Sequence, residues 1–128
     1  PDYRAYYAPS DEPLPGLHVN GKLTLSENIA DVAGVSAAYD GYRTAAAARA
    51  VPPQDGFGGD QQFFLSFAQI WRRKQRPELT RGLIMGDGHA PGEFRADTVR
   101  NVDAWYPAFD VKEGAKLYLA PAARVRVW

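Results

Sequence analysis

Cysteine is absent from this 128-residue sequence. The absence excludes a disulfide framework, an iron–sulfur cluster, a cysteine nucleophile and a zinc site built from thiolates. It leaves the cellular compartment open, because disulfide-free proteins are not confined to one compartment.

Histidine is scarce, with only His18 and His89. A catalytic zinc ion typically has three protein ligands, and nitrogen or sulfur atoms usually supply at least two of them. Two histidines so far apart in the sequence, with no cysteine, do not complete such a site. We therefore expect any metal site within this sequence to be partial, and we assign no role to His18, which flanks an Asn-Gly turn.

An excess of one charge is also lacking, since 15 basic and 15 acidic residues cancel to a formal net charge of zero. Proteins that bind nucleic acid usually carry excess positive charge that neutralises phosphates. No apolar run approaches the roughly 20 residues of a membrane-spanning helix, and the start of the sequence lacks the apolar centre of a signal peptide. The sequence predicts no nucleic-acid partner and no direct membrane contact.

The longest predicted helix begins near Thr24 and runs to about Ala48, before the Pro52-Pro53 pair. Thr24 and Glu27 have the spacing of a capping box. Apolar residues on most sides of this segment predict a helix that is buried nearly all round.

The other predicted elements make the fold class mainly α. Residues 1–17, rich in proline and tyrosine, predict an extended N-terminal strap. Helices are predicted at about 60–74, where an aromatic stripe favours core packing, and at 77–85. Asn101 is predicted to cap a last helix that ends at Phe109. The terminal RVRVW predicts a short strand or extended tail with its valines inward.

Two carboxylates of the first helix, Glu27 and Asp31, stand four residues apart and therefore share one helix face. Like charges at this spacing repel each other, so they need a partner. Glu27 can complete the capping box, both can interact favourably with the helix dipole, or both can pair with Arg or Lys. Alternatively, one carboxylate binds a metal ion and the other holds the imidazole of a second ligand.

A glycine-rich loop carries His89, with Asp87 before it and Arg95 after it. A single loop histidine can simply be solvated. The functional alternative is that His89 donates a hydrogen bond to a developing oxyanion. In that case Asp87 fixes the tautomer of the imidazole, and Arg95 binds a carbonyl group of the substrate.

Several longer segments resemble one family, the neprilysin-type zinc metallopeptidases, which include the endothelin-converting enzymes and bacterial oligopeptidases. The resemblance runs in order from residue 13 onward, and the absence of cysteine favours the bacterial members. The matching segments are NGKLTLSENIADVAGVSAAYDGY (20–42), FFLSFAQIWRRKQRPE (63–78), GHAPGEFR (88–95), RNVDAWYPAFDVK (100–112) and the terminal RVRVW.

The resemblance implies a role for each matching polar residue. Glu27 corresponds to the third zinc ligand, and Asp31 to the acid that orients a zinc-binding histidine. His89 corresponds to the histidine that stabilises the oxyanion, and Arg95 to the arginine that contacts the substrate backbone. Asp87 stands at an acidic position near the histidine, as a possible supporting residue.

The resemblance also gives the aromatic stripe a second role at its C-terminal end. Ile70 and Trp71 match positions that line the hydrophobic pocket for the residue after the scissile bond. Most of the stripe is still expected to be core.

As a whole, the sequence is similar to the C-terminal helical portion of a thermolysin-like catalytic domain, over residues 1–128. The implied protein is a zinc-dependent endopeptidase that hydrolyses oligopeptides, in a periplasmic or extracellular location. The family's HExxH helix, which supplies two zinc-binding histidines and the general base, does not occur in this sequence. We therefore expect a fragment that is inactive alone, binds zinc weakly or not at all, and needs the remainder of the catalytic domain.

Two further expectations accompany this interpretation. An apolar face that normally packs on the missing helix would be exposed, and the fragment would self-associate through it. The alternative function is a non-catalytic peptide-binding or scaffold protein that retained the metallopeptidase fold.

Overall fold

The structure is a computed structural model that describes residues 13–127. Within this range the chain is helical and contains no β-strand, which confirms the mainly α prediction. No helix in the described range is long and apolar enough to cross a membrane. The α-helices are α1 (Leu25–Ala48), α2 (Gly59–Ile70), α3 (Pro77–Gly86), α4 (Gly92–Ala96) and α5 (Trp105–Ala108), with 3-10 helices at Asp97–Asn101 and Pro121–Ala123.

The predicted strap at 1–17 falls mostly outside the described residues. Its last part forms a tight turn, in which the Leu17 amide donates to the Leu14 carbonyl at 2.9 Å. Gly16 has a φ of 74°, a conformation that glycine adopts without steric cost.

Helix α1 begins without the predicted capping box, so that prediction was wrong. The Thr24 side chain makes no cap hydrogen bond. Its hydroxyl instead donates to the Asn20 carbonyl at 3.2 Å and accepts from the Asn28 amide at 3.0 Å. These two bonds occupy the hydroxyl, and the Glu27 carboxylate lies against His89 instead.

Burial of α1 is one-sided, which corrects the prediction that it is buried nearly all round. Val32 and Val35 are buried among the other elements. The opposite side consists of small residues that are exposed in this chain: Ala30, Gly34, Ala37 and Gly41. The prediction is based on the apolar character of these residues. Their side chains are small, and no other element among residues 13–127 covers this face.

The core lies where α1 and α2 meet the C-terminal third of the chain. Val35, Phe64, Val99 and Val102 form its buried cluster, with Phe63, Phe67 and other aromatic residues packed around it. The Phe64 ring stacks on Tyr39 with a centroid distance of 5.2 Å. Most of the aromatic stripe of α2 is therefore core, as predicted, whereas Ile70 at its C-terminal end is exposed.

Helix α3 agrees with its predicted range, whereas α2 and the last helix are shorter than predicted. α2 ends at Ile70 rather than near residue 74, because the chain turns at Trp71, whose amide bonds back to Ala68. The predicted helix from Asn101 to Phe109 is replaced by a 3-10 turn and the short α5.

Asn101 is not a helix cap, because its side chain bonds elsewhere. Its Nδ2 donates to the Thr98 carbonyl at 3.2 Å, and its Oδ1 accepts from the Val125 amide at 2.9 Å. Asn101 thereby joins the C-terminal segment to the 3-10 turn.

The C-terminal segment is extended but forms no strand over the described residues. Arg124 donates to Asp103 at 2.7 Å and stacks on the Tyr106 ring, with 3.6 Å between guanidinium carbon and ring centroid. Val125 is half-buried, whereas Val127 is exposed, so only one of the valines points inward as predicted.

Candidate active site

His89 lies in the loop after α3, where Asp87 fixes its orientation. One oxygen of Asp87 accepts from the His89 backbone amide at 2.9 Å and faces its ring Nδ1 at 2.8 Å. These hydrogen bonds, first from the side chain and then from the backbone, hold the pKa of Asp87 below its usual value. Asp87 therefore keeps its negative charge and holds the imidazole in one orientation.

The other ring nitrogen of His89 faces α1. Its Nε2 lies 3.1 Å from Oε2 of Glu27, and both side chains remain partly exposed. Since carboxylates only accept hydrogen bonds, both ring nitrogens donate at once only when the imidazole carries both protons. The structure thus brings Glu27 of α1 next to the Asp87–His89 pair, which lies about 60 residues later in the sequence.

One helical turn after Glu27, Asp31 binds a second residue of the same region. Arg95 of α4 donates from Nε and from one terminal nitrogen to the two oxygens of Asp31, each at 2.7 Å. The two side chains are only 17% and 10% exposed. Parallel bonds of this kind fix the guanidinium plane as well as its position.

The guanidinium of Arg95 also stacks on an aromatic ring. It lies 4.0 Å from the ring centroid of Trp71, the residue that directly follows α2. The Arg95 side chain is thereby held on one side by a carboxylate and on one face by an indole.

Gly92 permits this packing, and the sequence reasoning did not single it out. A Cβ atom at this position would lie 2.6 Å from the Trp71 carbonyl oxygen, too close for any side chain. The sequence indicates only that the loop around His89 is rich in glycine. Only the structure shows that this glycine is required by contact with another element.

A cavity of about 230 Å³ opens between these side chains. Trp71, His89 and Arg95 line it, as does Asp87, whereas Ile70 does not and is 67% exposed. His18 is exposed and also lies outside it. Residues that the sequence reasoning did not identify complete the wall: Arg73, Gln75, Thr80, Leu83, Ala90, Pro91 and Gly92.

The described residues fit one ligand of a metal site rather than a complete site. No three His, Asp or Glu side chains among residues 13–127 are grouped so that they could hold a metal ion. Glu27 presents a partly exposed carboxylate whose contact within this range is His89. A single carboxylate of this kind suits zinc when other protein ligands complete the coordination.

Comparisons with known proteins show which sequences this chain resembles. The chain is 41% identical over 111 residues to a neutral endopeptidase of Lactococcus lactis subsp. cremoris, covering 85% of this chain and 16% of that protein. It is 37% identical over 118 residues to mouse neprilysin, covering 88% and 15%. The chain therefore spans only about a sixth of the length of these relatives.

A solved structure has the same fold. The zinc metalloprotease Zmp1 of Mycobacterium tuberculosis, determined in an open state, superposes with a TM-score of 0.86 at 43% identity, over 98% of this chain and 20% of that one. The profile of peptidase family M13 matches residues 2–125. On this evidence the chain belongs to peptidase family M13.

Proposed function

We propose that this chain forms part of the active site of a zinc-dependent endopeptidase that hydrolyses oligopeptides. The observation that carries the proposal is that His89, which lines the cavity together with Arg95, lies 3.1 Å from the Glu27 carboxylate. Membership of family M13 and the names of its relatives support the class of reaction. Peptides are accordingly the proposed substrates.

Glu27 is the proposed zinc ligand within this chain. The remaining ligands, and the base that activates water, would come from residues outside this sequence. Zinc, when bound, polarises the scissile carbonyl and lowers the pKa of bound water. Asp31 is proposed to orient a histidine ligand, because each of its oxygens accepts only one hydrogen bond from Arg95 and retains further acceptor capacity.

His89 is the proposed donor to the oxyanion that develops on the scissile carbonyl. Its Nδ1 is held by Asp87, so the ring needs no reorientation during the reaction. The Nε2 atom can donate to substrate only when the imidazole carries both protons, and it becomes available when Glu27 binds a cation instead of His89. Arg95, fixed by Asp31, is proposed to contact the substrate backbone.

Ile70 and Trp71 remain the proposed lining of the pocket for the residue after the scissile bond. Trp71 supports this by lining the cavity. Ile70 does not line the cavity and is exposed. It would contact substrate only if residues outside this sequence closed a pocket over it.

The 128-residue chain by itself is proposed to be inactive and to bind zinc weakly or not at all, since it offers one ligand. Its exposed α1 face and exposed apolar side chains such as Ile70 and Met85 favour self-association. Sedimentation of the isolated chain at several concentrations tests this. A monodisperse monomer with tight zinc binding would contradict both statements. A periplasmic or extracellular location stays a prediction.

The proposal is tested by Glu27→Val in the full natural chain that carries this sequence. We expect loss of most bound zinc, measured by atomic absorption, together with loss of peptide hydrolysis. Glu113→Val, at an exposed turn remote from the cavity, is the matched control and should retain both. Unchanged zinc content and turnover in the Glu27 variant would overturn the assignment. A wild-type protein that binds peptides without cleaving them would favour the scaffold alternative.

A further inference from the structure

A dense group of positive charges follows Trp71 in the loop between α2 and α3. Four of the five residues at 72–76 are cationic, although the whole chain has no net charge. All of them are exposed and lie in irregular structure. We call these residues the cationic loop: Arg72, Arg73, Lys74 and Arg76.

The charges of the cationic loop are not neutralised within the described part of the chain. None of its four cations forms an ion pair with any of residues 13–127. The nearest acidic residue in sequence, Glu78, begins α3 and is also exposed. A cluster of like charges without counter-charges creates a positive potential that attracts anionic groups from solution.

Arg73 connects the cationic loop to the candidate active site. It lines the 230 Å³ cavity together with Trp71 and His89. It also lines a second groove that shares Trp71 and Gly92 with the first and includes Arg72. The loop therefore borders both depressions that meet at Trp71.

The other charged groups of the cavity already have partners. Arg95 is bonded to Asp31, and Asp87 is bonded to His89. Arg73 is thus the lining cation that forms no ion pair with the described residues. Its planar guanidinium matches the two oxygens of a carboxylate.

We propose that Arg73 is a specificity-determining residue that makes the peptidase prefer substrates with an acidic side chain close after the scissile bond. The inference rests on the proposed function. Arg72, Lys74 and Arg76 extend the positive potential along the loop. Peptides with several acidic side chains should therefore be attracted more strongly than peptides with one. Because a guanidinium binds any carboxylate, the test must distinguish recognition of a peptide's C-terminal carboxylate from recognition of Asp and Glu side chains.

The test uses the full natural chain and pairs of quenched fluorescent peptides that differ only as Glu or Gln at one position after the scissile bond. All C-termini in these pairs are amidated, and the Gln peptide is also made with a free C-terminus, so that recognition of a terminal carboxylate is measured separately. We expect kcat/KM to favour the Glu peptide by about 2- to 5-fold, the effect of one partly exposed ion pair. The preference should shrink as salt is added, because salt screens exposed charges.

Variants of Arg73 identify the residue responsible. Arg73→Gln should bring the Glu-to-Gln ratio of kcat/KM close to one, and Arg73→Glu should reverse the preference. Arg49→Gln, at an exposed position after α1 and outside both grooves, is the matched control and should keep the wild-type ratio.

The possible failures are distinguishable. If both peptides are cleaved and the ratio is one in the wild type, or is unchanged by Arg73→Gln, the inference is wrong and the proposed function stands. If Arg73→Gln alters only the preference for a free over an amidated C-terminus, the terminal carboxylate is recognised and the inference is wrong. If neither peptide is cleaved, the proposed function fails and the inference fails with it.

Discussion

Asp31 and Arg95 are 64 residues apart in the sequence, yet two parallel hydrogen bonds of 2.7 Å join them. The pair connects the N-terminal half of α1 to α4, and Arg95 lines the cavity of the candidate active site. Because both side chains are largely shielded from water, removing one leaves the other poorly solvated.

A double-mutant cycle measures this pair. Asp31→Asn and Arg95→Gln should each lower the free energy of unfolding of the full natural chain by about 1–3 kcal/mol. This loss is smaller than that for a fully buried ion pair, because both side chains keep some contact with solvent. The double variant should lose less than the sum. The same cycle on Arg43 and Asp60, an exposed pair at 3.2 Å, should give a clearly smaller coupling, because solvent screens exposed charges. Equal coupling in the two cycles would contradict the expected role of burial.

Replacing His89 tests its proposed role in catalysis. His89→Ala should lower kcat by roughly 10²–10³, as is typical when one oxyanion donor is lost, while bound zinc is retained. Single-turnover rates and zinc content measure the two effects separately. His18→Ala, at an exposed position outside the cavity, is the control. Loss of zinc in the His89 variant would show that this residue holds the metal instead.

Glycine at position 92 should be required for stability. Gly92→Ala places a Cβ atom 2.6 Å from the Trp71 carbonyl oxygen, so α4 or the end of α2 must move. We expect a loss of about 1–3 kcal/mol, in the range of overpacking substitutions. Thermal unfolding of this variant is compared with that of a second glycine variant, Gly82→Ala. Gly82→Ala, inside α3 with open space around it, should instead raise stability by roughly 0.5–1 kcal/mol. Similar effects at both positions would rule out the steric explanation.

The Tyr106 hydroxyl should contribute to holding the C-terminal segment. It donates to the Arg100 carbonyl at 2.6 Å and accepts from the Leu119 amide at 3.1 Å. Tyr106→Phe removes both bonds and should cost about 1–3 kcal/mol, because two partly buried backbone groups lose their partner. Hydrogen exchange at the Leu119 amide should accelerate. Tyr118→Phe should change little, since no hydrogen bond joins its hydroxyl to the described residues.

Local sequence patterns predicted the first helices because their signals lie within a few residues. Pro77 and the apolar spacing predicted α3, and the alanine-rich run predicted α1 to its last residue, Ala48. The spacing of Glu27 and Asp31 predicted a shared face, since that follows from helical geometry alone.

Sequence patterns failed where a side chain had competing partners. Thr24 and Asn101 both have the chemistry of a helix cap, but Thr24 bonds to the neighbouring Asn20 and Asn28, and Asn101 bonds to the distant Val125. Likewise, no spacing rule connects Arg95 to Asp31 or Gly92 to Trp71, because these contacts depend on how distant segments pack. The resemblance implies the site residues, and the structure shows which of them are in contact.

Trp71 gives this protein a built-in optical reporter. Its indole lies under the Arg95 guanidinium and lines the cavity, so a bound peptide or inhibitor should change the emission of this one fluorophore. Trp105 packs edge-to-face on Tyr106, 5.1 Å between centroids, next to the core and outside the cavity, and its emission should stay constant. Occupancy of the site is thereby readable in unlabelled protein, independently of any turnover.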